Sequence, residues 1–359
     1  MSKTYARASN LMNTPTLVDI GWTSHFADQV DGETLLATPP ARICDVHRGR
    51  VLAKSETGNM ELDLPSTMGT ADLAVGDWVL TDPAAGLVVS LLDRLTELKR
   101  PIAGIATKYQ LIAANVDTLM IVSSCNADFN PARLERYLAL AATSETTPLL
   151  VLTKVDLADD AQEYLEKAKR LSPLADAVAI DSLNESSLGQ LQPWVMPGQT
   201  VALVGSSGVG KSTILNGLAG MQTATQTIRE DDAKGRHTTT ARCLRQTTSG
   251  GWLIDTPGMR SLSMGGSSEG IDLVFADLID LAASCKFSDC AHASEPGCAI
   301  NAAIAAGEVD GGRLQRWQKL LQEDAQNSGT IASARAKQKS KSRQIKTTVR
   351  NKHKRRKNS

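Results

Sequence analysis

No stretch of this 359-residue chain reaches about 18 consecutive apolar residues, which excludes a membrane-spanning helix. The N-terminal sequence MSKTYARASN has no apolar core behind its basic residues, so no secretory leader is expected. Cysteine is scarce, with six in all, too few for a disulfide scaffold in a chain this long, and no C-x-x-C pair points to redox chemistry. Aromatic residues make up only 4% of the chain, which argues against binding nucleic acid mainly by base stacking. What remains is an ordinary globular composition, 42% hydrophobic and 22% charged. At roughly 100–200 residues per domain, the length suggests two or three domains of a soluble, cytoplasmic protein, expected to be a monomer.

Net charge is absent too, but only on average. Twelve of the 39 basic residues fall between Arg335 and Ser359, where there is no acid, so residues 1–334 hold 27 basic against 39 acidic residues. An acidic body with a basic, nearly apolar-free tail suggests a tail that is disordered when free and a polyanionic partner. Nucleic acid is the favoured partner, through release of counterions; a solvating tail or an anionic membrane are the alternatives.

The pattern along the chain changes twice. Residues 1–39 are polar and mixed, ending in Pro39-Pro40, and read as an irregular extension. From Ala41 to about Arg100, ARICDVHRGRVLAKS, LAVGDWVLTD and LVVSLLDRL are short β-rich runs that fit a small barrel. After about Gln110, the buried-strand runs VDTLMIVSS and PLLVLTKVD flank a helix, NPARLERYLALAATS, with Asn130 as N-cap and Pro131 at its first position. TVALVGSSGVG followed by KSTILNGLAG reads as strand, loop and helix, and GGWLIDTPG as a strand ending in a turn. Strands alternating with helices predict an α/β unit with a largely parallel sheet. Residues from about Ile271 to Glu323 read as helical around a Cys/His cluster.

Gly205-Ser206-Ser207-Gly208-Val209-Gly210-Lys211-Ser212 matches the phosphate-binding pattern G-x-x-x-x-G-K-[ST]. Glycines let successive N–H groups turn inward around phosphate oxygens, and the helix opened by Lys211, Ser212 and Thr213 offers its N-terminus to the same anion. Lys211 is expected on the β and γ phosphates, and Ser212 on Mg²⁺.

Thr153-Lys154-Val155-Asp156 follows the strand PLLVL and resembles the guanine-reading Asn-Lys-x-Asp motif of GTPases. The Asp156 carboxylate can accept from both the ring N–H and the exocyclic amine of guanine, whereas adenine offers no such pair. Thr153 replaces the usual Asn, and Lys154 would lay its stem along the base. Asp255-Thr256-Pro257-Gly258 resembles the D-x-x-G motif, in which Asp255 would hold Mg²⁺ through water and the Gly258 amide would sense the γ-phosphate. Gly235-Arg236-His237-Thr238-Thr239-Thr240 falls where a switch loop should lie, with one of the three threonines completing the Mg²⁺ shell. The guanine motif precedes the phosphate loop, so the order is circularly permuted relative to ordinary GTPases. A domain tolerates this because its termini often lie close together.

Cys285, Cys290, His292 and Cys298 place three thiolates and an imidazole within fourteen residues. Such a Cys₃His set suits a tetrahedral, structural Zn²⁺ with no open position. Cys44, Cys125 and Cys243 are scattered and read as ordinary thiols.

Over about residues 20–325 the chain resembles the ribosome small subunit-dependent GTPase A (RsgA) family. The resemblance rests on QLIAANVD (110–117), FNPARLERYL (129–138), LVGSSGVGKSTILNGL (203–218), GRHTTT (235–240), DTPGMR (255–260) and the C-x4-C-x-H-x5-C cluster. It implies an α/β protein with an extension over 1–39 and an OB-like β-barrel over 40–105. A circularly permuted P-loop GTPase domain would follow over 106–268, a zinc-binding helical domain over 269–325 and a basic tail over 326–359. It also implies GTP hydrolysis to GDP, stimulated by the small ribosomal subunit during its late maturation, and contact with rRNA. Asp181-Ser182-Leu183 stands where the family carries a Ser-Ala motif supporting the base, and no site residue is assigned there.

Small GTPases orient the attacking water with a Gln directly after D-x-x-G; here the position is Met259, which cannot do so. Slow intrinsic hydrolysis is therefore expected, with Lys211 and Mg²⁺ supplying charge and His237 as the candidate to orient water. Two other classes compete: an RNA-binding checkpoint protein that senses GTP with negligible turnover, favoured by Met259, and a P-loop kinase preferring ATP, opposed by Asp156.

Overall fold

The structure, a computed structural model, describes residues 15–102, 105–220, 242–256 and 266–328. His237, Thr238, Thr239, Thr240, Gly258, Met259 and residues 329–359 of the basic tail lie outside the described residues, while residues 326–328, expected in the tail, end a helix.

Residues 15–39, read from sequence as irregular, contain a 3-10 turn at Val18–Ile20 and two short helices, α1 (Ser24–Ala27) and α2 (Gly32–Ala37). Helices of four and six residues have no intrinsic stability. Tertiary contacts hold α1 and the 3-10 turn, while α2, with no buried residue, is capped by Asp31 accepting from the Thr34 amide. Ile20 and Phe26 are buried, and Trp22 and Phe26 pack around Trp78. Trp252 Nε1 donates to the Asp19 carbonyl at 2.7 Å.

Five strands then close a barrel: β1 (Pro40–His47), β2 (Arg50–Ser55), β3 (Gly58–Asp63), β4 (Trp78–Asp82) and β5 (Leu87–Leu91). Their order is β1-β2-β3-β5-β4, closed by β1 against β4, and β3 runs parallel to β5. This is an OB-like arrangement. Strict alternation in β2 sends Val51, Ala53 and Ser55 inward, where Ile43, Leu62, Val79 and Val88 complete the filling.

A hairpin of β6 (Glu97–Ile102) and β7 (Ile105–Ala114) connects the barrel to the next sheet. The chain packs so closely here that a Cβ on Gly76 would lie 2.1 Å from the Ala114 carbonyl. The Arg42 guanidinium is buried at this junction and donates to the carbonyls of Ile20 (2.6 Å), Asn115 (2.9 Å) and Gly76 (3.3 Å). Desolvation pushes Arg42 down to about 10, with Asp117 partly opposing it.

The central sheet holds β8 (Thr118–Ser124), β9 (Thr147–Thr153), β10 (Asp176–Ala179), β11 (Thr200–Gly205), β12 (Leu244–Gln246) and β13 (Trp252–Asp255). The order is β10-β9-β8-β11-β13-β12, all parallel except β12. β8 and β11 are buried along their whole length, as expected of strands covered on both faces. The covering helices include α3 (Pro131–Thr143), α4 (Ala161–Lys169), α5 (Glu185–Leu188) and α6 (Lys211–Leu218). Asn130 caps α3 by accepting from the Arg133 amide, ahead of Pro131 at the first turn.

Helices α7 (Ser268–Val274), α8 (Ala276–Ala283), α9 (Ala299–Ala305) and α10 (311–328) complete the described chain. α10 returns to α3. Buried Glu135 accepts from Arg313 (3.0 Å) and Arg316 (2.6 Å), and Arg136 forms a two-pronged pair with Glu323. Burial raises the Glu135 carboxyl, and the two guanidiniums pull it back.

Candidate nucleotide site and metal centre

Sheet topology chooses the place for a ligand. The chain runs outward from β8 through β9 to β10, then crosses back to β11 on the other side of β8. The crevice at the carboxyl ends of β8 and its neighbours is therefore a topological switch point, where open α/β sheets bind ligands. The Gly205–Ser212 loop leaves the end of β11, and Thr153–Asp156 leaves the end of β9.

The loop is built on backbone that only glycine tolerates. Gly205 has φ +139°, and a Cβ there would lie 2.2 Å from the Val122 carbonyl. Gly208 and Gly210 are also left-handed, at +77° and +95°. Val209 is buried, anchoring the loop, while Ser207, Gly208 and Ser212 are exposed and Ser206 and Thr213 are half-buried. Lys211 Nζ folds back over the loop, donating to the carbonyls of Gly205 and Ser206.

The guanine-type motif is tied to this loop. Thr153 is fully buried, and its hydroxyl faces the Val209 carbonyl at 2.7 Å and the Ser123 carbonyl at 3.1 Å. Lys154 adopts a left-handed conformation, φ +61°, and turns the chain into a 3-10 helix, Val155–Leu157. That turn carries Val155 half-buried and Asp156 exposed. Ser182, to which sequence assigned no role, also reaches the loop: a Cβ on Gly210 would lie 3.4 Å from its Oγ.

Asp255 ends β13, paired in register with Leu203 of β11. Burial raises its carboxyl, and Lys211 and Arg245 oppose the shift. Thr256 donates its hydroxyl to the Leu203 carbonyl. So Thr153, Lys211 and Asp255 gather at one end of the sheet.

Helix α3 adds residues that no motif predicted. Arg133 Nη1 donates to Ser206 Oγ in the phosphate loop. Burial raises the Tyr137 phenol, which Arg133, Arg136 and a hydrogen bond with the Gly205 backbone draw back down. The i, i+4 spacing sets Arg133 and Tyr137 on one helix face. That spacing is visible in FNPARLERYL, but the facing loop is more than seventy positions away and only the fold brings it near.

The metal-type cluster lies in the C-terminal helices. The ligand atoms of Cys285, Cys290, His292 and Cys298 all lie within 4.8 Å of one another. His292 Nδ1 is 3.7 Å from Cys285 Sγ and 3.5 Å from Cys298 Sγ, and the two sulfurs are 4.0 Å apart. With metal–sulfur bonds of about 2.3 Å, a tetrahedral site needs donors roughly 3.5–3.8 Å apart. The donors fit such an ion. His292 takes φ +58° to turn inward, and Cys298 caps α9 by accepting from the Asn301 amide at 3.5 Å.

Comparison with known proteins agrees with this architecture. The family model described as RsgA GTPase matches residues 91–265. The small ribosomal subunit biogenesis GTPase RsgA of Mesorhizobium japonicum is 50% identical over 88% of this chain and 92% of its own length. RsgA 2 of Vibrio parahaemolyticus is 43% identical over 94% of each chain. Among solved structures, YjeQ from Thermotoga maritima superposes with a TM-score of 0.58 at 25% identity, covering 79% of this chain and 97% of its own. YloQ, a circularly permuted GTPase, gives 0.56 at 25% identity, covering 80% and 94%. At these identities over most of its length, the chain belongs to the RsgA GTPase family.

Proposed function

We propose that this protein hydrolyses GTP to GDP and phosphate while acting in late assembly of the small ribosomal subunit, the particle whose biogenesis its relatives' name records. The observation that carries the nucleotide reading is the contact of buried Thr153 with the Val209 carbonyl, which joins a guanine-type turn to a phosphate-type loop. Asp156, with Thr153, Lys154 and Val155 shaping its turn, selects guanine. The amides of Gly205 through Gly210 hold the phosphates, and Lys211 leaves its carbonyl partners to reach them, with Ser212 and Thr213 at the helix start. Ser212 directly and Asp255 through water would hold Mg²⁺, which neutralises developing phosphate charge when bound. Gly258 and His237 keep the roles expected for them, sensing the γ-phosphate and orienting water.

The Cys₃His cluster takes a structural Zn²⁺, since three thiolates favour a soft ion and four protein donors leave no open position. The extension, barrel, permuted unit, zinc unit and tail act as one cytoplasmic monomer, with the barrel and tail meeting rRNA mainly through its backbone and shape. The test is GTP turnover alone, with purified small subunits and with large subunits. Stimulation by small subunits only is expected; equal rates in all three would reject the assignment.

A further inference from the structure

Two cations converge on one residue of the phosphate loop. Lys211 Nζ donates to the Ser206 carbonyl, and Arg133 Nη1 donates to the Ser206 hydroxyl. Arg133 comes from the first turn of α3, far from any nucleotide motif, and Tyr137 one turn later adjoins Gly205. The loop has two ends. Thr153 contacts Val209, so the guanine turn joins the late end, next to the helix. Arg133 contacts Ser206 at the early end, where the ammonium of Lys211 also rests. A P-loop lysine reaches the β and γ phosphates, so the early end faces the terminal phosphate.

We propose that Arg133 is a nucleotide-sensing cation: when GTP binds, its guanidinium turns from Ser206 to the terminal phosphate. It distinguishes GTP from GDP and stabilises charge during hydrolysis. A guanidinium suits this because its fork of donors matches phosphate oxygens and stays charged at all working pH values. The partner it leaves, a serine hydroxyl, is neutral and readily rehydrated. The inference rests on the GTPase reading above and adds a residue to it.

The experiment compares Arg133→Ala and Arg133→Lys with the parent protein by titration with GDP and with a non-hydrolysable GTP analogue, both with Mg²⁺. Arg133→Ala should weaken the analogue about tenfold or more and GDP less than twofold, and Arg133→Lys should recover part of the loss. Single-turnover hydrolysis should fall at least as much as analogue affinity. Equal weakening of both nucleotides, or of neither, in a variant with the parent's circular dichroism and melting temperature overturns the role of Arg133 alone. A parent protein that binds neither nucleotide overturns the GTPase reading, and this inference with it.

Discussion

The Thr153 hydroxyl lies 2.7 Å from the Val209 carbonyl, so the last residue of β9 and the phosphate loop share a buried hydrogen bond across 56 positions of sequence. Ordinary members of the wider GTPase class carry an asparagine here. The threonine keeps one donor and fills the space with a methyl group, which would lie 3.5 Å from a Cβ on Gly210.

Replacing Thr153 with valine keeps the shape and removes that donor. The carbonyls of Val209 and Ser123 then lose a buried partner, at a cost of about 1–3 kcal/mol. Thr153→Val should lower stability by that amount in urea titrations and weaken GDP and GTP alike. Unchanged nucleotide affinity would show that the bond does not order the loop.

Guanine selection should reside in Asp156. An amide cannot accept two hydrogen bonds from guanine's ring N–H and amine, but its NH₂ can donate to a 2-oxo group. Asp156→Asn should weaken GTP about a hundredfold or more and bind xanthosine triphosphate better than the parent does. Competition titrations with GTP, ATP and xanthosine triphosphate measure this; retained preference for GTP would remove Asp156 from the base site.

These motifs were legible in the sequence because each encodes a local backbone requirement. Glycines at 205, 208 and 210 adopt positive φ angles, and Asn130-Pro131 starts a helix where such a pair should. Strand runs after Gln110 were equally plain, being continuous and apolar. Residues 15–39 were not, because α1 and the 3-10 turn before it are held by contacts with Trp78 and the buried Arg42, and no periodicity encodes those. Arg133 and Ser182 were unreadable for the same reason, since their positions depend on how α3 and the segment after β10 pack on the loop.

The metal should be measurable directly. Purified protein should carry one zinc per chain by mass spectrometry. Cys290→Ser should lose it and give the C-terminal helices a separate, earlier melting transition in calorimetry. A single transition at the parent temperature, with zinc absent, would mean the cluster does not support the fold.

Thiol chemistry should divide the cysteines. Burial pushes the Cys44 and Cys125 thiols up to about 11, above the ordinary value near 8.5. The reactive form is the thiolate, so only about one molecule in a thousand is reactive at pH 8 at either position. Alkylation of half-buried Cys44, followed by peptide mass spectrometry, should speed up about tenfold per pH unit from 7 to 10. A plateau near pH 9 would place its thiol in the ordinary range.

The Glu135 knot has a bearing on how this protein can change. Its carboxylate is wholly shielded from solvent and answers to two arginines roughly 180 positions away, in a helix beyond the metal cluster. Removing both arginines strands the carboxylate inside the protein, a loss of about 3–5 kcal/mol, whereas without Glu135 each arginine still has a second acid, Asp277 or Asp310. The acid therefore works only together with its two arginines. Grafting the C-terminal helices from a distant relative should succeed only when donor and recipient agree at 135, 313 and 316.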